Sequence, residues 1–233
     1  MTIIKLPPYD QGLIERINHK LGHDFPLILA SASPRRAQIL RLLGLKFTTI
    51  PSQAKEEDVP GSPEEKARAW AMLKAEAVAS RLSGAIRASG SGRQQLLSAG
   101  VVIGADTIVV LEGQILGKPR DEQEARKMLK RLSGCKHRVI SGLAVINTAS
   151  GQRIIESVES WVSFRTLSED EIESYIASRE PMDKAGAYGI QGRGASFVIE
   201  VEGCYTNVVG LPVSCLLKSL SSVLSLTSKD NHV

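Results

Sequence analysis

One ten-residue run, Val101-Val102-Ile103-Gly104-Ala105-Asp106-Thr107-Ile108-Val109-Val110, limits what this chain can become more than any other. Every position is apolar, small or β-branched except Asp106. A short run rich in Val and Ile reads as a buried strand. An ionised carboxylate is costly to bury without a partner. Asp106 is therefore either at an open end of the strand, facing solvent or a ligand, or fully paired. A carboxylate that only caps a loop has equal weight from this run alone. Gly104 and Ala105 leave room for something to approach the backbone.

The stretch before it supplies charge of the opposite sign. Phe25 to Ala30 reads as a buried strand and is followed by Ser31-Ala32-Ser33-Pro34-Arg35-Arg36. Ser caps a helix and Pro fits its first position, so Ser33-Pro34 marks a helix start. Gly44 marks its end. A strand-to-helix turn exposes free backbone N–H groups at the positive end of the helix dipole. With two guanidinium groups and two serine hydroxyls beside it, an anion site, phosphate above all, is favoured over a solvated basic turn.

The remaining chain reads as alternating strands and helices with an antiparallel middle. Leu13, Ile14, Ile17 and Leu21 share a helical face near the N-terminus, and Lys46 to Ile50 reads as a strand. Ser62 with Glu65, Asp121 with Glu124, and Ser168 with Glu171 match capping patterns for three helices. The first of these runs to about Leu82, with Trp70, Leu73, Ala77 and Val78 buried and Lys74 on the surface. Residues 83–99, rich in Ser, Gly, Arg and Gln, read as a surface insertion. Arg138 to Ile146 and Arg153 to Arg165 read as paired strands, Ala195 to Val201 as another, and Pro212 opens a last helix to about Leu226. The glycines between Pro181 and Gly194 suit a backbone that turns tightly or meets a ligand. No GxxxxGK followed by Ser or Thr and no GxGxxG is present, so neither a P-loop nor a dinucleotide fingerprint applies. The whole points to a mixed α/β fold with an extended sheet.

Composition excludes several classes. Aromatics make up 4% of the chain, which leaves few stacking platforms for single-stranded nucleic acid. The net charge of +4 fits a small anion at least as well as nucleic acid. No apolar run approaches the length of a membrane span. Cys135, Cys204 and Cys215 are far apart and odd in number, which argues against a disulfide framework and for a reducing compartment. His19, His23, His137 and His232 show no ligand spacing.

Five motifs, Ser31 to Arg36, Gly104 to Thr107, Leu116-Gly117-Lys118-Pro119, Asp183 to Gly192 and Asn207-Val208-Val209-Gly210-Leu211-Pro212, resemble in order and spacing the Maf family of nucleoside triphosphate pyrophosphatases. The resemblance covers about Leu27 to Leu217. It implies an elongated mixed sheet in two lobes around a central cleft, of the inosine triphosphatase type. It implies one catalytic domain over 26–226; residues 1–25 lie outside the pattern as an N-terminal extension, and 227–233 read as a frayed tail. It also implies hydrolysis of a nucleotide between the α- and β-phosphates, a divalent cation (Mg2+ or Mn2+), a homodimer and a cytoplasmic setting. The segments around Thr107 and Gln191 look like the branch acting on dTTP, UTP and modified pyrimidine nucleotides. Carried over by position, Asp106 is the catalytic carboxylate and proton acceptor, and Arg35, Thr107 and Gln191 set base preference. Ser33, Arg36, Glu56, Lys74, Lys118, Asp183 and Lys184 are other polar positions of the cleft. Lys55 stands where the family often has an acid, and Ala69 where it often has an arginine.

On this reading Arg35, Arg36, Lys74, Lys118 and Lys184, with Ser33 at the helix start, neutralise the leaving pyrophosphate. Glu56 and Asp106 are the carboxylates for the metal. A free Asp, with a pKa of ~3.9, is a weak base at pH 7, so Asp106 either acts on water activated by the metal or is itself a metal ligand. The Gln191 amide offers a donor and acceptors that match the imide edge of uracil or thymine. The competing class is a nucleotide-binding regulator without turnover. A nucleic-acid-binding module ranks third.

Overall fold

A computed structural model describes residues 9–22, 25–54, 59–88 and 99–226. Glu56, the start of the N-terminal extension, most of the 83–99 segment and the tail fall outside those residues. The chain runs α1 (Gln11–Lys20), β1 (Leu27–Leu29), α2 (Pro34–Leu42), β2 (Phe47–Thr49), α3 (Pro63–Ala88), β3 (Val101–Leu111) and β4 (Gln114–Leu116). It continues through α4 (Glu122–Leu132), β5 (Lys136–Asn147), β6 (Arg153–Phe164), α5 (Glu169–Ala177), β7 (Val198–Glu202), α6 (Tyr205–Val209) and α7 (Val213–Val223).

Helix starts follow local chemistry. Ser33 accepts from the Arg36 N–H, Asp121 from Glu124, and Ser168 and Glu171 form a reciprocal capping box. Ser62 and Glu65 do the same for α3. Each side chain satisfies donors that the first helical turn leaves open. α3 continues beyond the expected Leu82 to Ala88, so the segment read as an insertion begins as helix.

All strands among the described residues lie in one seven-stranded mixed sheet, ordered β2-β1-β3-β5-β6-β7, with β4 also on β3. β1 is parallel to β2 and β3, and the other pairs are antiparallel. Side chains alternate across β3. Val101, Ile103 and Ala105 join a core with α1, α2 and α7, whereas Val102 meets α3 on the opposite face. A third cluster is built by α4, α5 and the ends of β3, β5 and β6, and a small fourth one sets Ala67 of α3 against Ile108, Val110 and Ile140.

α3 buries Val78 as expected, but Trp70 and Ala77 only in part and Leu73 hardly at all. Ala67, Ala71, Ala75, Val78 and Leu82 are buried, while Leu73 is 38% exposed. The cause is on the sheet. A Cβ on Gly104 would stand 2.2 Å from the Ala71 carbonyl oxygen, and one on Gly142 would stand 1.9 Å from that of Ala67. Two glycines placed diagonally on neighbouring strands let a helix of alanines lie directly on the sheet, and large side chains there would hold it off. What approaches the backbone at Gly104 is thus α3.

Near the C-terminus, residues 192–197 form a 3-10 turn and the strand starts at Val198. Within that turn the Glu180 carboxylate accepts from the N–H groups of Arg193 and Gly194. The short helix α6 has no counterpart among the expected elements.

Candidate active site

The cavity sits where β3 changes neighbours. β1 pairs with Val101 to Ile103, and β4 pairs with Val109 to Leu111. Among the described residues no strand covers the edge between them. Chain turning away from the end of β1 and chain returning after α5 close over this gap and leave a space of about 560 Å3. That volume suits a small-molecule ligand. Crevices at the carboxyl ends of parallel strands are where α/β sheets commonly bind ligands.

Asp106 forms the floor, 6% exposed, on the α3 face of β3. Its Oδ1 accepts from Lys74 Nζ at 2.5 Å. The close seating of α3 explains the pair: Ala71 and Ala75 rest on the sheet, and Lys74, between them in sequence, is brought over the strand. Lys74 is accordingly no surface residue, its side chain being 15% exposed.

Thr107 faces the opposite side of the same strand. Its hydroxyl accepts from Arg36 Nη2 at 3.1 Å and lies 2.8 Å from Ser141 Oγ. Arg36 also donates from Nη1 to Ser31 Oγ at 3.0 Å and from Nε to the Gly210 carbonyl at 2.9 Å. It is buried and ties α2 to β3 and α6. Arg35, the adjacent guanidinium, turns outward and meets Asp183 at 3.6 Å. Lys184 donates to Asp183 at 2.6 Å and to the Glu180 carbonyl at 2.5 Å. Partial burial raises the Asp183 pKa, but the Lys184 hydrogen bond and charge, with Arg35 behind them, outweigh that and hold it below the usual carboxylate range.

Ser33, Arg35, Arg36, Lys74, Asp106, Thr107, Lys118, Asp183, Lys184 and Gln191 all line this one space. Lys118 stands exposed at its rim and Gln191 is half-buried. Glu56 lies outside the described residues. Trp70, Ile115 and Tyr188 add apolar wall. The cavity therefore offers cations for an anion, apolar faces for a ring and one carboxylate at its floor. Among the described residues no three His, Cys, Asp or Glu side chains gather as a metal cage. The donor chemistry present, Asp106 opening on a cation-lined space, suits a hard cation shared between one or two carboxylates and a ligand's phosphate oxygens.

Sequence reasoning missed the support behind these groups. Ser141 and Asn207 hold Thr107 from the core, and Glu180 folds the glycine-rich turn. Asn207 at least begins a recognisable motif. Ser141 and Glu180 carry no local signal, because their partners are distant in sequence.

A single-sheet α/β protein with a carboxylate-floored, cation-lined cleft is the class that fold and site define. Residues 26–223 match the family model described as Maf-like protein, and the chain belongs to that family. It is 45% identical over 208 residues to a "dTTP/UTP pyrophosphatase" of Syntrophus aciditrophicus (strain SB), covering 88% of this chain and 94% of that protein. It is 46% identical over 204 residues to a protein of the same name from Syntrophotalea carbinolica, covering 87% of each. The corresponding Clostridioides difficile (strain 630) protein is 45% identical over 201 residues, with 86% of this chain and 96% of that protein covered.

Proposed function

We propose that this chain is a nucleoside triphosphate pyrophosphatase that hydrolyses the α–β anhydride of dTTP and UTP, and of modified pyrimidine nucleotides. One observation carries the reading: Asp106 and Lys74, 2.5 Å apart, floor a cavity edged by Arg35, Lys118 and Lys184. Relatives that cover nearly the same length bear the name of this activity.

Water adds to the α-phosphorus, the bond to the bridging oxygen breaks, and pyrophosphate leaves with the electron pair. Asp106 is the carboxylate positioned to take the water's proton, and Lys74 fixes its orientation. Arg35, Lys118 and Lys184 neutralise charge that grows on the leaving group. Arg36 and Ser33 shape the helix start that receives a phosphate. A divalent cation, Mg2+ or Mn2+, held by Asp106 with Glu56 would supply further neutralisation at the phosphate oxygens. Arg35, Thr107 and Gln191 read the pyrimidine. Residues 26–226 act as one catalytic unit. The homodimer and the cytoplasmic setting come from the family resemblance; no described helix is long and apolar enough to cross a membrane.

The test is release of pyrophosphate and monophosphate from UTP, dTTP, CTP and GTP with Mg2+ or Mn2+. UTP and dTTP are expected to be preferred. Equal rates on all four would sink the base assignment. Tight nucleotide binding with no pyrophosphate would leave the silent regulator as the correct description.

A further inference from the structure

The hydroxyl of Thr107 has a fixed polarity, and its cause lies one strand away. Ser141 pairs with Thr107 across β3 and β5 and is fully buried. Its Oγ lies 3.0 Å from the Asn207 carbonyl, which can only accept, so Ser141 spends its proton there. The oxygen that remains takes the Thr107 proton at 2.8 Å. Reversing both hydroxyls would forfeit a good bond. Ser141 would leave the carbonyl, and the Thr107 proton would be left with the Gly210 carbonyl at 3.5 Å, too long to compensate. Arg36 occupies one Thr107 lone pair at 3.1 Å. A hydroxyl has one donor and two acceptor sites, so one acceptor site is all that Thr107 has left for the cavity it lines.

We propose that Ser141 is a positioning residue for base selection: it makes Thr107 an acceptor only, and thereby selects bases that present a ring N–H. Uracil and thymine carry a hydrogen at N3. Cytosine presents a lone pair there, which would meet the Thr107 lone pair. The inference rests on the reading that this cavity takes a pyrimidine triphosphate. It adds the group that sets the sign of the contact.

Binding decides it without turnover. The probes are the uncleavable α,β-methylene analogues of UTP and CTP, which share everything but the pyrimidine edge. In Ser141→Ala the Thr107 proton is released and can turn to the cavity. The UTP-over-CTP preference is expected to fall roughly fivefold to tenfold, the worth of one hydrogen bond, with CTP binding held or improved. Equal loss on both analogues, or no change in their ratio, overturns the proposal, since a structural defect weakens both alike. Thr107→Val tests the polarity directly should Ser141→Ala fail to fold. Loss confined to the UTP analogue supports it, and loss confined to CTP or shared equally refutes it. Pyrophosphate release by the unaltered protein is measured alongside. A protein that binds the UTP analogue but releases no pyrophosphate from UTP defeats the hydrolase reading and leaves this one standing.

Discussion

Lys74 and Asp106 pose a question of charge before any question of catalysis. Their side chains are 15% and 9% exposed, so removing either partner leaves the other poorly solvated. Breaking such a pair commonly costs about 3–5 kcal/mol, whereas replacing both partners with neutral groups can cost little. Lys74→Met is therefore expected to lower unfolding stability by on the order of 3 kcal/mol, read from the denaturant midpoint. Adding Asp106→Asn should recover most of that loss, because no lone carboxylate remains. Asp106→Asn alone should fold, since the amide oxygen still accepts from Lys74. Its pyrophosphate release should drop by at least about a hundredfold, the scale of a lost proton acceptor. A folded Asn variant with near-normal turnover would remove Asp106 from the chemistry. A double variant no more stable than Lys74→Met would show that the loss was not electrostatic.

The element that delivers Lys74 is α3, and its seat is made of missing side chains. Gly142 stands opposite Asp106 in the β3–β5 register. A methyl group there would overlap the Ala67 carbonyl, a backbone atom that cannot swing aside. Gly142→Ala is expected to destabilise at or beyond the upper end of the ~1–3 kcal/mol typical of overpacking. Because α3 must lift, it should also weaken nucleotide binding by moving Lys74. Gly22→Ala, with nothing within 4 Å of the new methyl, is the control and should stay within about 0.5 kcal/mol. Equal midpoints for the two variants would mean that the close seating is not needed. The same helix shows where a sequence stops being legible. Its start was readable because Ser62 and Glu65 satisfy neighbouring backbone, a local transaction. Its buried face was not, because Trp70 and Leu73 outweigh alanines on any apolar scale while the deciding residues, Gly104 and Gly142, lie elsewhere in the chain. The site divides in the same way. Asp106 stood out as a charge in an apolar run, and Arg35 and Arg36 as cations at a helix start. Lys74 by itself looked like one more surface lysine and entered the cleft only through the family resemblance, and the separate duties of the two arginines, one outward and one buried, depended on contacts with Asp183 and Gly210.

At the scale of the whole molecule, stability should depend on pH through a histidine outside the cavity lining. His137 is 1% exposed, packed edge-on against Phe164 and Tyr188, with its Nε2 2.8 Å from the Tyr188 hydroxyl. Burial lowers its pKa from 6.5 to about 4, partly opposed by the nearby Cys135 backbone. The unfolded chain therefore binds more protons than the folded one between those values, and stability rises with pH across that window. Going down in pH, the loss begins near 6.5 and levels off near 4. The full gap corresponds to on the order of 3 kcal/mol, an upper figure because partial opening lets water reach the ring. Carboxylates act lower. Glu171 is held at about 2 by its Arg165 hydrogen bond and then by the Ser168 backbone, so its contribution is complete above 4.5 and fades only as pH falls further. The interval from 6.5 to 4.5 thus isolates the histidine. Urea unfolding at half-unit steps should show falling midpoints across it, and His137→Gln, which stays neutral throughout, should flatten that slope while lowering the plateau through imperfect packing against Phe164. A variant that keeps the full slope would place the titrating group elsewhere. Tyr188 both bonds His137 and lines the cavity, so protonating the ring in the folded state would place a charge behind the cavity wall.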